Sequence, residues 1–106
     1  MLRIVPLESF PNNSLIEIDV FGEEFNFFSF TVENPVSDDL FIWLDKPNII
    51  SGYANEPCFK LEHKVGGFWF SNNGAVNLSI PLVQRSKIYI IKNTLGVNPC
   101  LTISRR

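Results

Sequence analysis

The chain is poor in the residues that most often carry chemistry. It has one histidine and two cysteines among 106 residues. That set cannot complete a four-ligand Cys/His zinc site, and no CxxC pair exists. His63 stands in "KLEHKVGG", with Glu62 beside it and Cys58 five residues away. On a regular strand both neighbours point to the opposite face, so a nucleophilic site built on His63 is not expected, and an exposed turn histidine is. Cys58 and Cys100 could bridge only if their strands are neighbours; reduced, buried thiols are the expectation for an intracellular chain. GxGxxG, P-loop, HExxH and GxSxG motifs are absent. An enzyme, a metal site and a cofactor are therefore not expected.

Two further lacks bear on partners. Net charge is −2, without the basic excess of a general nucleic-acid binder. No apolar run approaches the roughly 20 residues of a membrane helix. The opening "MLRIVPLESFPNN" lacks the apolar core and cleavage site of a signal peptide. The expectation is a chain kept in a cytoplasm or packaged from one, for which the triplets at Asn12 and Asn77 carry no glycosylation signal. The carboxylate pair Asp38–Asp39, in a segment read as the loop 33–39, lacks the converging oxygens of a calcium site and is expected to be solvated or to cap a helical turn.

What the chain has is apolar, aromatic and alternating. Ten of its residues are Phe and 45% are hydrophobic, a composition that favours a β-type core. Short alternating segments recur at 2–7, 15–21, 24–32, 40–45, 49–53, 58–62, 68–71, 75–80, 86–92 and 100–105, separated by turn residues. Gly22-Glu23 suggests a hairpin between the second and third segments, and "NNG" (72–74) another. No helical period is sustained. About eight or nine strands with turns every 8–12 residues predict one antiparallel β-sandwich, jelly-roll-like, spanning 1–106. Residues 1–10 would form an arm or, given Pro6, an edge strand.

The segment "EEFNFFSFTVENP" (23–35) poses the functional question. Phe25 and Phe27 fall on one face of a strand, Phe28 and Phe30 on the other. "LFIWL" and "KIYIIK" are apolar on both faces as well. Exposed aromatic faces invite association. An interface is therefore expected to include Leu2, Ile4, Leu7, Phe25, Phe27, Phe28, Phe30 and Trp43. Charge is also uneven: residues 1–50 carry nine acids and two bases, residues 51–106 seven bases and two acids. Interleaved strands would mix the halves in space; a two-ended surface would favour head-to-tail contacts between copies.

The closing segment "GFWFSNNGAVNLSIPLVQRSKIYIIKNTLGVNPCLTISRR" (67–106) resembles the last strands of small phage virion β-sandwich proteins, such as capsid decoration (cement) proteins and head or tail accessory modules. The likeness is one of strand pattern and carries over no functional residue. It implies a non-enzymatic structural protein of the bacteriophage virion, a homo-oligomer, with a trimer favoured, that pins a capsid lattice by protein–protein contacts. The rival reading is a carbohydrate-binding sandwich whose platform would use Tyr53, Trp69, Asn72 and Asn73, with the rings in "FWFSNNG" either stacking on a glycan or packing in the core.

Overall fold

A computed structural model describes residues 2–20, 27–48, 58–64, 77–79 and 87–104. The all-β expectation holds. The described residues form antiparallel strands in two sheets and include no helix. One sheet contains, in spatial order, β1 (Leu2–Pro6), β8 (Val97–Ser104), β3 (Phe27–Glu33) and β6 (Asn77–Ser79). The other contains β2 (Ile16–Asp19), β7 (Lys87–Asn93), β4 (Ser37–Trp43) and β5 (Phe59–Lys64). The segments at 49–53 and 68–71 and the "NNG" turn lie outside the described residues.

The pairing has a simple logic. The first strand pairs with the last, β2 with β7, β3 with β6 and β4 with β5, all antiparallel. The first half of the chain thus runs back along the second as one long hairpin. Rolling that hairpin adds two further pairings, β3 with β8 and β4 with β7. Gly22-Glu23 lie outside the described residues, but the hairpin expected there would pair β2 with β3, and these two strands belong to different sheets. Local turn chemistry suggested a hairpin; pairing between the two halves of the chain won.

Alternation decides which side chains fill the core. In β2 and β3 every second residue is buried: Ile16 and Ile18, then Phe28, Phe30 and Val32. These meet Leu40 and Ile42 of β4, Leu61 of β5, Ile88 and Ile90 of β7, and Leu101 and Ile103 of β8 in one core. Each such side chain contributes about 1.5–3 kcal/mol in transfer terms.

Both prolines in the paired strands sit where no amide hydrogen is required. The Leu7 N–H donates to the Pro99 carbonyl at 2.9 Å. That bond fixes the phase of the β1–β8 ladder: Arg3 and Val5 exchange hydrogen bonds with β8, and the backbone groups of Leu2, Ile4 and Pro6 point to the open edge. Pro6 therefore sacrifices no ladder bond, as expected of an edge strand. Pro99 has no N–H to return to Leu7, and the Leu7 carbonyl accepts from Phe10 N–H instead, at 3.1 Å. β8 begins earlier than the turn-rich sequence 93–99 suggested. Its register against β3 shifts between Thr31 and Glu33, and Asn98 takes up the extra residue at φ 50°, a conformation that asparagine tolerates.

The rolled hairpin also accounts for the charge asymmetry. In both sheets, strands from the first half alternate with strands from the second. In the β2-β7-β4-β5 sheet this sets acidic residues beside basic ones: Asp19 is in register with Lys87, and the Lys87 ammonium lies 3.5 Å from Glu17. Charges of the two halves are thus mixed among the described residues of that sheet, which weakens the electrostatic argument for head-to-tail contacts there; Glu23, Glu24, Glu56, Arg85, Arg105 and Arg106 lie outside the described residues.

Candidate interaction surface

The residues expected at an interface divide sharply by burial. Leu7, Phe28 and Phe30 are 0–1% exposed and belong to the core. Their side chains are filled from within the chain and have nothing left to offer a partner. Trp43 lies on the outer face of β4, yet it is only 3% exposed, and Ile91, opposite Phe41 on the same outer face, is 2% exposed. The Phe41 ring stacks on Trp43 with centroids 6.3 Å apart, and the Lys60 ammonium lies 5.6 Å over Phe41. Lys60 also pairs with Glu62 at 2.6 Å. Its pKa is raised, chiefly by that hydrogen bond, with burial opposing. The second apolar face of β4 and β7 is thus closed within a single chain. The expectation that Trp43 belongs to an interface is corrected: the chain itself covers it.

Phe27 is half-buried on the outer face of β3, in register with Ser104 and Ser79. Ile4 is 58% exposed. These two, together with the backbone edge at Leu2, are what remains of the expected interface. Phe25 lies outside the described residues, as do Tyr53, Trp69, Asn72 and Asn73 of the glycan reading.

A second exposed apolar group was missed by sequence reasoning. Val36, Leu95 and Val97 are 53%, 64% and 45% exposed. Val36 and Leu95 lie on the β3–β4 and β7–β8 connections and Val97 opens β8; a single carboxylate ties the two connections together. Asp38, in β4, is 0% exposed. Its Oδ1 accepts from the N–H groups of Leu95 and Gly96 at 2.7 and 2.9 Å, and its Oδ2 accepts from Val36 N–H at 2.8 Å. The expectation of a solvated pair or helix cap is corrected: both aspartates lie in β4 and Asp38 is a buried clamp. The local bond runs back to the amide two residues before the aspartate, the reverse of an Asx turn, and the other two amides come from residues far along the chain, so no local pattern marked the clamp. Close packing completes the arrangement. A Cβ at Gly96 would run into Val32 Cγ1 and approach the Glu33 carbonyl to 3.0 Å.

The opposite side of the β7–β8 connection carries a buried polar node. Lys92 is 5% exposed. Its ammonium donates to Asn12 Oδ1 at 2.8 Å and to Thr94 Oγ1 at 3.3 Å. Asn12 Nδ2 in turn donates to the Thr94 carbonyl at 3.0 Å, and Asn13 N–H donates to the Lys92 carbonyl at 2.9 Å. These bonds hold the β1–β2 connection against the end of β7. Burial lowers the Lys92 pKa below 10.5, with the Glu8 carboxylate opposing. Between that lowered value and 10.5 the unfolded chain holds a proton that the folded chain has released, so this group's contribution to stability rises with pH through that window. The urea-unfolding free energy of the wild type relative to Lys92→Met is expected to increase from neutral pH towards 10.5. A difference that stays flat with pH would contradict the assignment.

The geometry offers little for catalysis among the described residues. His63 lies in β5 opposite Asp38 and is half-buried, rather than exposed in a turn. Its Nδ1 is buried without a hydrogen-bond partner. The Asp38 carboxylate is occupied by three backbone amides and is not placed to orient an imidazole. Cys58 precedes β5 in one sheet and Cys100 lies in β8 of the other; both thiols are free. Burial pushes the Cys58 thiol up, with Lys60 opposing, the reverse of an activated thiolate. No His/Cys/Asp/Glu group among the described residues could hold a metal ion, and no helix there is long and apolar enough to cross a membrane.

No protein family matches the chain, and no curated protein or solved structure matches it.

Proposed function

We propose that the chain is a jelly-roll structural protein of a virion, a decoration or accessory subunit that strengthens an assembly through contacts with its own copies and with a capsid lattice. One observation supports this reading above the others. The strand orders β1-β8-β3-β6 and β2-β7-β4-β5, with first and last halves paired throughout, are those of a rolled eight-strand hairpin, the double-sheet architecture used by viral capsid domains. The polar atoms of the Asp38 and Lys92 nodes serve to fix loops, and the exposed apolar groups on those loops and on β1 are suited to binding. The protein is then non-enzymatic, and its work is done by buried contact area with a polar rim.

Lectin domains share the architecture, and function lies in sites rather than folds. The test therefore reads partners directly. Native mass by light scattering, across a tenfold concentration range, is expected to give a closed homo-oligomer. The oligomer is expected to co-sediment with capsid shells and to leave a glycan array blank. A monomer that binds glycans and loses them on Trp69→Ala would replace this reading with the carbohydrate-binding one.

A further inference from the structure

Among the described residues four strands border the two sheets: β1, β6, β2 and β5. Open edges are templates for further strands, and proteins commonly blunt them by shortness, charge or proline. β6 is described over Asn77–Ser79 only, and its neighbours in the chain lie outside the described residues. β2 spans four and exposes Glu17 and Asp19. β5 carries Lys60, Glu62, His63 and Lys64 along its length. β1 differs. Its sequence is LRIVP, its only charge is Arg3, and Ile4 stands 58% exposed beside the open backbone.

The phase of the ladder says what that edge presents. Leu2 and Ile4 each offer an N–H and a carbonyl outward, and Pro6 offers a carbonyl alone. We propose that β1 pairs antiparallel with the β1 of a second copy about a two-fold axis at Ile4, joining the β1-β8-β3-β6 sheets of the two copies into one. This rests on the self-association proposed above and names the element that carries it.

The two partial blocks on β1 select this register over its neighbours. Centred on Ile4, the two Ile4 residues exchange both hydrogen bonds, and each Leu2 amide donates to the Pro6 carbonyl of the other copy. Arg3 then faces Val5, and the exposed Ile4 side chains meet on the outer face. Centred on Arg3, the pairing would set two guanidinium groups directly opposite, which is destabilising. Centred on Val5, it would set both Ile4 residues opposite Pro6 and form two hydrogen bonds, whereas the Ile4-centred register forms four and leaves only the Leu2 carbonyls without a donor. An isologous contact of this kind closes at a dimer or builds dimers within a larger assembly.

Two variants test it. In Ile4→Pro the lost N–H is one that points outward, so the internal ladder is kept, as it is at Pro6; native mass is expected to fall twofold, with an unchanged far-ultraviolet circular dichroism spectrum. In Ile4→Cys, on a Cys58→Ser, Cys100→Ser background, the two-fold brings paired Cα atoms to about 5.5 Å, within the roughly 4.4–6.8 Å a disulfide spans. Mild oxidation is expected to give a covalent dimer, and this readout decides the matter should Ile4→Pro fail to fold. A wild type that assembles while Ile4→Pro keeps its mass and Ile4→Cys stays uncross-linked overturns the β1 pairing and leaves self-association standing. A wild type that is monomeric at every concentration overturns both.

Discussion

Replacing Asp38 by alanine is expected to lower the unfolding free energy by about 3–5 kcal/mol. Hydrogen bonds to a charged group contribute about 1.5–3 kcal/mol each, and Asp38 accepts three of them from backbone amides at 2.7–2.9 Å. The contributions share one carboxylate and do not add in full. Asp38→Asn separates charge from shape. Its amide oxygen can keep Leu95 and Gly96, but its NH2 group then meets the Val36 N–H, donor against donor. A smaller loss, about 1–3 kcal/mol, is expected for one buried donor left unmet. Urea unfolding at neutral pH reads both, with an unchanged m-value to show that the unfolded state is the same. An Asp38→Ala chain within about 0.5 kcal/mol of wild type, the usual range for an innocuous surface change, would show that water replaces the clamp.

The aspartate scan of β3 should be just as lopsided. Phe28→Asp and Phe30→Asp are expected to abolish folding. Each would place a carboxylate at a site that is 0–1% exposed and walled by aliphatic side chains, where an unpaired charge is prohibitively costly. The milder Phe28→Ala should still cost about 3–5 kcal/mol. Phe27→Asp is expected to leave a folded chain, because Phe27 is half-buried on the outer face between register partners Ser79 and Ser104. Circular dichroism and urea unfolding separate the two groups, and sizing of Phe27→Asp shows whether its ring meets another copy. Should Phe27→Asp unfold as completely as Phe28→Asp, the outer face of β3 is as closed as that of β4, and association must run through other residues.

The scan also shows how much a two-residue period can convey. Alternation in "LIEIDVF" set Ile16 and Ile18 on the face that the structure buries; in the phenylalanine run it put Phe28 and Phe30 on one face but left open which face is core, and the structure buries theirs. Pro6 pointed to an edge strand or a docking arm, because a residue without an N–H is tolerated where the backbone points to solvent; the pairing of β1 with β8 alone decided for the edge strand. The loop reading of 33–39 failed at Asp38. Charge suggested solvent, whereas a carboxylate that gathers three amides is stable when buried. The expected hairpin at Gly22-Glu23 failed because turn residues permit a reversal without specifying which strand lies beside which.

The sequence by itself determined the β-class and the inward face of β2, and it marked residues 1–10 as an arm or an edge strand. All three follow from properties of single residues or of neighbours in the chain: side-chain alternation, aromatic and β-branched content, and proline's missing hydrogen. Tertiary structure alone decided the partners. It put the last strand beside the first, set Glu17 and Asp19 of β2 against Lys87 of β7, closed Trp43 and Ile91 within the chain, and drew residues 57 and 58 positions away onto the Asp38 carboxylate. These are contacts between segments far apart in sequence, and no local preference encodes them. They form because rolling the long hairpin buries the inward faces of both sheets in one core.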